Sequence, residues 1–449
     1  MRRNEAADLR CDETRMWRYY PELLESPVPR YTSYPTAAEF GPDVGANDFC
    51  SALETATGDV SLYIHIPFCE TICWYCGCNT SRTNRPERLT SYLDALHREI
   101  ALVGARLPNE ARVRRIAFGG GSPNAIAPTD FVRLMLSLTH SFHLRDPVIS
   151  VELDPRTMTP AWADALAGVG VKWASLGVQT FETRLQQAIG RDQPAQLIED
   201  CALLLRKAGI TSLNFDLMYG LPGQDISDLE ATLERAIGLG PDRMALFGYA
   251  HVPQLVSRQR RIDASALPDQ KSRFEMAAAG HRQLVEAGYA PIGFDHFALP
   301  ADDLARAGRL HRNFQGFTDD DAPVLIGLGA SAISSFPQLL VQNEKNAGRY
   351  RMMLSQDRLV TTRGVRRSAD DRMRAGIIES VLCSGRASID RSILTDAAVR
   401  LAPFESRGLV EIEDDELRLT SSAVPYSRAI AAIFDSYRAA AGSRFSSAV

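Results

Sequence analysis

Ile149-Ser150-Val151-Glu152-Leu153-Asp154 alternates apolar and polar side chains, so that a strand here puts Ser150, Glu152 and Asp154 on one face. The stretch 172–179 does the same with Ser175, Gly177 and Gln179, and 212–219 with Asn214 and Asp216. A parallel sheet covered by helices on both faces needs near-continuous apolar strands, and a carboxylate buried without partners costs several kcal/mol. Three strands with a polar face therefore point to a cavity that meets a polar ligand, as at the carboxyl-terminal mouth of a barrel. Mutual pairing of these groups is the competing reading, and for one strand alone it is the better one.

Outward from this stretch, strand-like text recurs at 61–68, 113–120, 147–154 and 243–250, with helical text between. That βα repetition gives a parallel sheet. Leu89, Leu93, Leu96, Ile100, Val103 and Leu107 form one apolar stripe of a helix over 89–107, which Pro108 ends. A second helix starts with Pro194 in its first turn, carries Leu197, Ile198, Cys201, Leu204 and Leu205 on one side, and stops at Gly209. Cys201 and Cys383 read as core. Residues 1–60 form an arm rich in proline, with a short helix near 46–55. After about residue 300 the text becomes charged and mostly helical, with a small strand pair at 409–412 and 417–420. The expected units are 1–60, 61–300 and 301–449.

Hydrophobic residues make up 45% and charged residues 23% of the 449, an ordinary globular composition. Fifty Lys and Arg against 55 Asp and Glu leave a net charge of −5, which gives no positive field for nucleic acid. No apolar run approaches the roughly 20 residues of a spanning helix, since 324–336 is broken by Gly and Ser. Met1-Arg-Arg-Asn-Glu-Ala-Ala-Asp8 has no hydrophobic segment behind its arginines, so a cytoplasmic protein with reduced thiols is expected.

Four of the eight cysteines are gathered where strand 61–68 runs into Cys69-Glu-Thr-Ile-Cys73-Trp74-Tyr75-Cys76-Gly77-Cys78. Thiolates spaced C-x3-C-x2-C can wrap three corners of an iron–sulfur cubane. Structural zinc needs four closed ligands, and no second pair follows at finger spacing; His65 would have to fold back along the strand to complete such a site. Gly119-Gly120-Gly121-Ser122-Pro123 ends the second strand, and its glycines allow close backbone approach to a ligand's polar head.

On these residues the chain resembles the radical S-adenosylmethionine (SAM) family, and within it the oxygen-independent coproporphyrinogen III oxidases. Pro29-Arg-Tyr-Thr-Ser-Tyr-Pro-Thr36, Tyr63-Ile-His-Ile-Pro-Phe-Cys69, Cys76-Gly-Cys78-Asn79, Asn214-Phe-Asp216-Leu-Met-Tyr-Gly-Leu-Pro222, Tyr249-Ala-His-Val-Pro253, Asp295-His-Phe297 and His311-Arg-Asn-Phe-Gln-Gly316 carry the closer likeness. The resemblance implies an α/β fold, a partial (β/α)6 TIM-type barrel with an N-terminal arm and a mainly helical C-terminal domain. It implies a 4Fe–4S cluster on Cys69, Cys73 and Cys76, with one iron left open, and two molecules of SAM. Tyr63, Gly120, Glu152 and Ile333 would contact the cluster-bound SAM, and Tyr75, Gly121, Ser122, Gln179, Arg191, Asp216 and Ala250 the second. Tyr63 and Cys78 would sit at the reacting centre, Cys78 without ligating the cluster.

The activity implied is oxidative decarboxylation of two propionates of coproporphyrinogen III to vinyl groups by a 5′-deoxyadenosyl radical, in porphyrin biosynthesis. A low-potential donor such as flavodoxin or ferredoxin and a monomeric state go with it. The four substrate carboxylates need local cations: Arg258, Arg260 and Arg261, Arg309 and Arg312, or Arg30 in the arm. The same scaffold also suits a radical SAM methyltransferase, a haem-degrading enzyme or a non-catalytic haem chaperone.

Overall fold

The apolar stretches become six parallel strands in the computed structural model, which describes residues 17–82 and 85–438. They are β1 (Gly58–Ile66), β2 (Ala111–Gly120), β3 (Leu144–Leu153), β4 (Trp173–Gln179), β5 (Ser212–Tyr219) and β6 (Arg243–Gly248). Each is hydrogen-bonded to the one before it. Crossovers that always step in one direction put the connecting helices on one face of the sheet and leave the other as a lumen; a doubly wound sheet would have reversed its order. The expected partial barrel is therefore present.

Helix α1 (Pro86–Gly104) buries Leu93, Leu96, Ile100 and Val103. It stops ahead of Pro108, because its last turn tightens and the Ala105 N–H reaches the carbonyls of Ala101 and Val103. Helix α2 (Ala195–Lys207) buries Ile198, Cys201 and Leu205, with Pro194 as its cap rather than its first residue. Helix α3 (Gln270–Glu286) covers the far side of β5 and β6.

The expected boundary at residue 300 cuts through the sheet. Antiparallel strands β7 (Ala290–Ile292) and β8 (His296–Ala298) continue it beyond β6. At the other side β9 (Val324–Leu328) runs parallel to β1, with Val60 opposite Val324 and Ile64 opposite Leu328. β10 (Ile333–Phe336), β11 (Leu339–Asn343) and β12 (Thr361–Arg366) complete twelve strands. The apolar run broken by glycine was thus a strand pair folded on itself; a Cβ on Gly327 would lie 2.5 Å from the Ile333 carbonyl. The mainly helical portion begins at Ala369, with helices Ala369–Ser384 and Arg391–Glu405. A three-stranded sheet of Arg386–Ser388, Val410–Glu413 and Glu416–Leu419 joins them and includes the expected pair.

The arm lies between this last unit and the barrel rim. Tyr31 donates to Asp435 Oδ2 (2.9 Å), Arg438 donates to Pro27 O (2.8 Å), and Arg30 donates to Gly248 O at the end of β6 (3.0 Å). Residues 1–16, with Cys11 and the start read as lacking a signal, and 439–449 lie outside the described residues.

One buried carboxylate pins the seam between β1 and β9. Glu99 of α1 accepts from Gly329 N (2.6 Å), Tyr350 OH (2.6 Å) and Asn343 Nδ2 (2.7 Å). Glu99→Ala would leave the Gly329 N–H and the Tyr350 hydroxyl without this acceptor and take one of the acceptors of Asn343 Nδ2, which keeps Gly329 O (3.0 Å). It is expected to cost about 3–5 kcal/mol, read by denaturant unfolding.

Candidate active site

The polar faces of β3, β4 and β5 meet in register, with Glu152 opposite Ser175, Ser175 opposite Asn214 and Gly177 opposite Asp216. Asp216 accepts from Ser175 Oγ (2.9 Å) and Asn214 Nδ2 (2.8 Å), and Asn214 also donates to Ser175 Oγ (2.8 Å). Part of this face is therefore self-satisfied, as the competing reading required. Glu152 is not: among the described residues its carboxylate takes only the Gly120 N–H (3.2 Å). A Cβ on Gly119 would stand 2.7 Å from that carboxyl group, so glycine there makes room for it. Burial raises both Glu152, to about 7, and Asp216, and the Asp216 charge adds to the rise at Glu152.

Gly120 adopts φ +113, and a Cβ on it would meet the His65 ring at 2.5 Å. His65 extends from β1 beside Tyr63, whose hydroxyl lies 3.2 Å from His65 Nδ1. The other ring nitrogen faces Asn79 O (3.3 Å) and Ser331 Oγ (3.4 Å), so His65 braces the lumen instead of turning toward the thiols. Burial, then the charges of Glu152 and Cys78, raise the Tyr63 hydroxyl.

The cysteine loop follows β1 and crosses the mouth of this lumen. Cys73 Sγ accepts from Arg191 Nη1 (3.2 Å) and Arg156 Nη2 (3.4 Å), and Cys76 Sγ from the Cys78 N–H (3.4 Å). Cys69 Sγ lies 3.2 Å from Thr80 Oγ1. The hydrogen bonds from Cys78 bring the Cys76 thiol down to about 6, and burial takes Cys69 up to about 11. Among the described residues no three His, Cys, Asp or Glu side chains are drawn together as a ready metal-ion site. Each thiol is instead held by its own partner round the loop. The donor set suits an iron–sulfur group: soft sulfur ligands without an interposed carboxylate, and N–H donors aimed at sulfur as cluster thiolates require.

The remaining expected residues divide. Gln179, at φ +67 on the end of β4, stands beside Gly177 and Arg191. Arg191 is committed to Cys73, Asp154 Oδ1 (3.4 Å), Gly177 O (2.5 Å) and Gln193 Oε1 (2.9 Å). Gln259 Nε2 donates to Tyr75 O (2.8 Å) and Ala250 O (3.1 Å), tying the cysteine loop to the segment after β6. Gly121 packs against the Phe68 backbone and Ser122 donates to Asn124 Oδ1 (2.5 Å), so both lie where the loop meets β2. Ile333 opens β10 beside Ser331.

Asp154 departs from the expected face. β3 ends at Leu153, and Asp154 caps the turn Pro155–Thr157, accepting from Arg156 N (3.0 Å) and pairing with Arg156 Nη2 (2.6 Å). Sequence reading missed Arg156, Gln259 and His65 as supports; the Asp-Pro after a strand was the signal for the first. Arg260 and Arg261 are exposed, while Arg258 donates to Cys78 O (3.2 Å), so that basic run does not form one patch.

A profile of the Radical SAM superfamily matches residues 63–236. The chain is 42% identical over 428 residues to the oxygen-independent coproporphyrinogen III oxidase of Bradyrhizobium diazoefficiens, across 92% of this chain and 95% of that relative. It is 36% identical over 424 residues to the Escherichia coli protein of the same name, across 91% and 93%. Among solved structures, E. coli coproporphyrinogen III oxidase, described as a radical SAM enzyme, matches with a TM-score of 0.88 at 34% identity, covering 94% of this chain and 100% of that one.

Proposed function

The chain belongs to the oxygen-independent coproporphyrinogen III oxidases of the radical SAM superfamily, and from that premise we infer that it converts coproporphyrinogen III to protoporphyrinogen IX. The observation that carries the reading at the level of chemistry is the three-thiol loop set over a lumen holding the underused carboxylate Glu152. A 4Fe–4S cluster and SAM, when bound, supply one-electron cleavage of the sulfonium to an adenosyl radical that abstracts hydrogen.

Cys69, Cys73 and Cys76 would hold the cluster, and Arg156 and Arg191 would offset the charge that collects on Cys73. Tyr63, Gly120, Glu152 and Ile333 would flank the SAM beside it, with Glu152 accepting from its amino N–H and opposing the sulfonium charge. Tyr75, Gly121, Ser122, Gln179, Arg191, Asp216 and Ala250 flank a second SAM. Cys78 and Tyr63 face the reacting groups. The apolar walls and the arm over the rim keep water and oxygen from a carbon radical. On the substrate, a propionate would give one β-hydrogen atom to the adenosyl radical, then release CO2 and pass one electron to an external one-electron acceptor, leaving a vinyl group; two propionates react. Flavodoxin or ferredoxin suits as electron donor, and a monomeric cytoplasmic enzyme goes with this reading; among the described residues no helix is long and apolar enough to cross a membrane.

Anaerobic incubation with SAM, reductant and coproporphyrinogen III is expected to yield protoporphyrinogen IX and CO2. A methylated tetrapyrrole, or tetrapyrrole binding without turnover while the cluster is intact, would replace this reading with a methyltransferase or a chaperone. The raised Glu152 adds a pH test. Only its carboxylate form attracts a cation, so SAM affinity is expected to climb as pH rises through about 7, and in Glu152→Gln to be about 10- to 100-fold weaker and flat, by calorimetry on reconstituted protein.

A further inference from the structure

The cysteine loop follows β1 and Ala250 follows β6, and these two strands stand at opposite ends of the six parallel strands. They are not neighbours in the sheet, so strand pairing does not set the distance between the loop and the segment after β6. The short turn Ser257–Arg261 does, because it brings Gln259 back against both. Gln259 is 2% exposed, and both its polar atoms are spent on backbone. Its Nε2 donates to Tyr75 O (2.8 Å) and Ala250 O (3.1 Å), and its Oε1 accepts from the Val252 N–H (2.6 Å). Arg258, one residue earlier, donates to Cys78 O (3.2 Å), and Ile262 belongs to the small apolar cluster against which Trp74 and Tyr75 pack.

A side chain buried only to fill space would be apolar, since an amide withdrawn from water costs free energy unless its groups are met. The Gln259 amide is met because carbonyls from two distant parts of the chain converge on one nitrogen, so its bonds fix a separation. The first half of the cysteine loop is held independently. The Trp74 N–H donates to Ile189 O (2.9 Å), its ring lies 2.6 Å from where a Gly190 Cβ would be, and Cys73 Sγ accepts from Arg191 and Arg156. Loss of the Gln259 amide would therefore release Tyr75 from Ala250 and leave the partners of Cys73 untouched. Tyr75 and Ala250 are both assigned above to the second SAM. Polar atoms suited to a ligand stand unused on the strands that would complete that site: the Gln179 amide, and Asn214 Oδ1 beside Asp216, make no hydrogen bond among the described residues.

We propose that Gln259 is the positioning residue of the second SAM site, holding Tyr75 and Ala250 in one frame so that a single sulfonium ligand meets both. The proposal rests on the two-SAM reading above. A misplacement of about 1 Å at such a site costs on the order of 100-fold, so a tie across this gap acts on the ligand without touching it.

The test titrates reconstituted holoenzyme with labelled SAM alone, without reductant or tetrapyrrole, and compares wild type with Gln259→Leu and Gln259→Glu. Leucine removes all three hydrogen bonds, whereas glutamate keeps the acceptor for Val252 and removes the two donors. Wild type is expected to take up two SAM per chain. In both variants one SAM is expected to bind as in wild type and the other about 10- to 100-fold more weakly. Iron content, and the change that the first SAM makes in the spectrum of the reduced cluster, should be retained. Should leucine disturb the iron content, Gln259→Glu decides alone. Wild-type affinity at the second site in Gln259→Glu, or losses shared equally by both sites and by iron in both variants, would overturn the proposal and leave Gln259 structural. A single SAM on saturated wild type would overturn the two-SAM reading and the proposal with it, whereas two SAM bound at full strength by wild type and variants removes only the role of Gln259.

Discussion

Cys73→Ala is expected to bring iron and sulfide from about four of each per chain to near zero after anaerobic reconstitution, with product formation below detection. Cys73 is the buried member of the three thiols, and two guanidiniums donate to it. Removing the sulfur would take away one of the three proposed protein ligands. It also leaves Arg156 and Arg191 facing each other across Asp154 alone. Cys78→Ala is the control, because Cys78 supports Cys76 through its backbone N–H, which alanine retains. That variant should keep its brown colour and its iron. Full iron content in Cys73→Ala, or equal loss in both variants, would show that the cluster is held otherwise.

Gln179→Ala is expected to reduce vinyl formation by at least about 100-fold while cluster content and the first SAM's binding survive. Gln179 holds a left-handed φ of +67 at a strand end, a conformation that costs a non-glycine residue energy and recurs at functional sites. Its amide is buried beside Gly177 and makes no hydrogen bond among the described residues, whereas neighbouring Arg191 is fully engaged. Arg191 is the poorer probe, since its loss would also disturb Cys73. Single-turnover product analysis beside iron analysis separates the two effects; turnover at the wild-type rate would remove Gln179 from the site.

All six barrel strands were legible because each is locally written: apolar alternation, then glycine or proline. Ser175, Asn214, Glu152 and Asp216 on one lumen followed from period two alone. What failed was non-local. Val324–Leu328 was not recognised as the partner of β1, since an apolar run with glycines reads alike for several structures and strand order is not a local property. Asp154 left its expected face because alternation ends where a strand does, and an Asp-Pro step turns the chain. Gln259 looks like an ordinary polar residue in a basic run, and only the fold brings it to Tyr75 and Ala250. The cysteine spacing was the strongest signal for the opposite reason: ten residues carry the whole proposed ligand set.

The account stands most directly on whether the protein leaves one iron of the cluster for SAM. Electron paramagnetic resonance of the reduced, reconstituted protein, recorded before and after adding SAM, answers this. The predicted result is a 4Fe–4S signal that changes shape with SAM and shows coupling to labelled nitrogen of its amino group. An identical spectrum with and without SAM, from a cluster whose four irons are all ligated by the polypeptide, would contradict it.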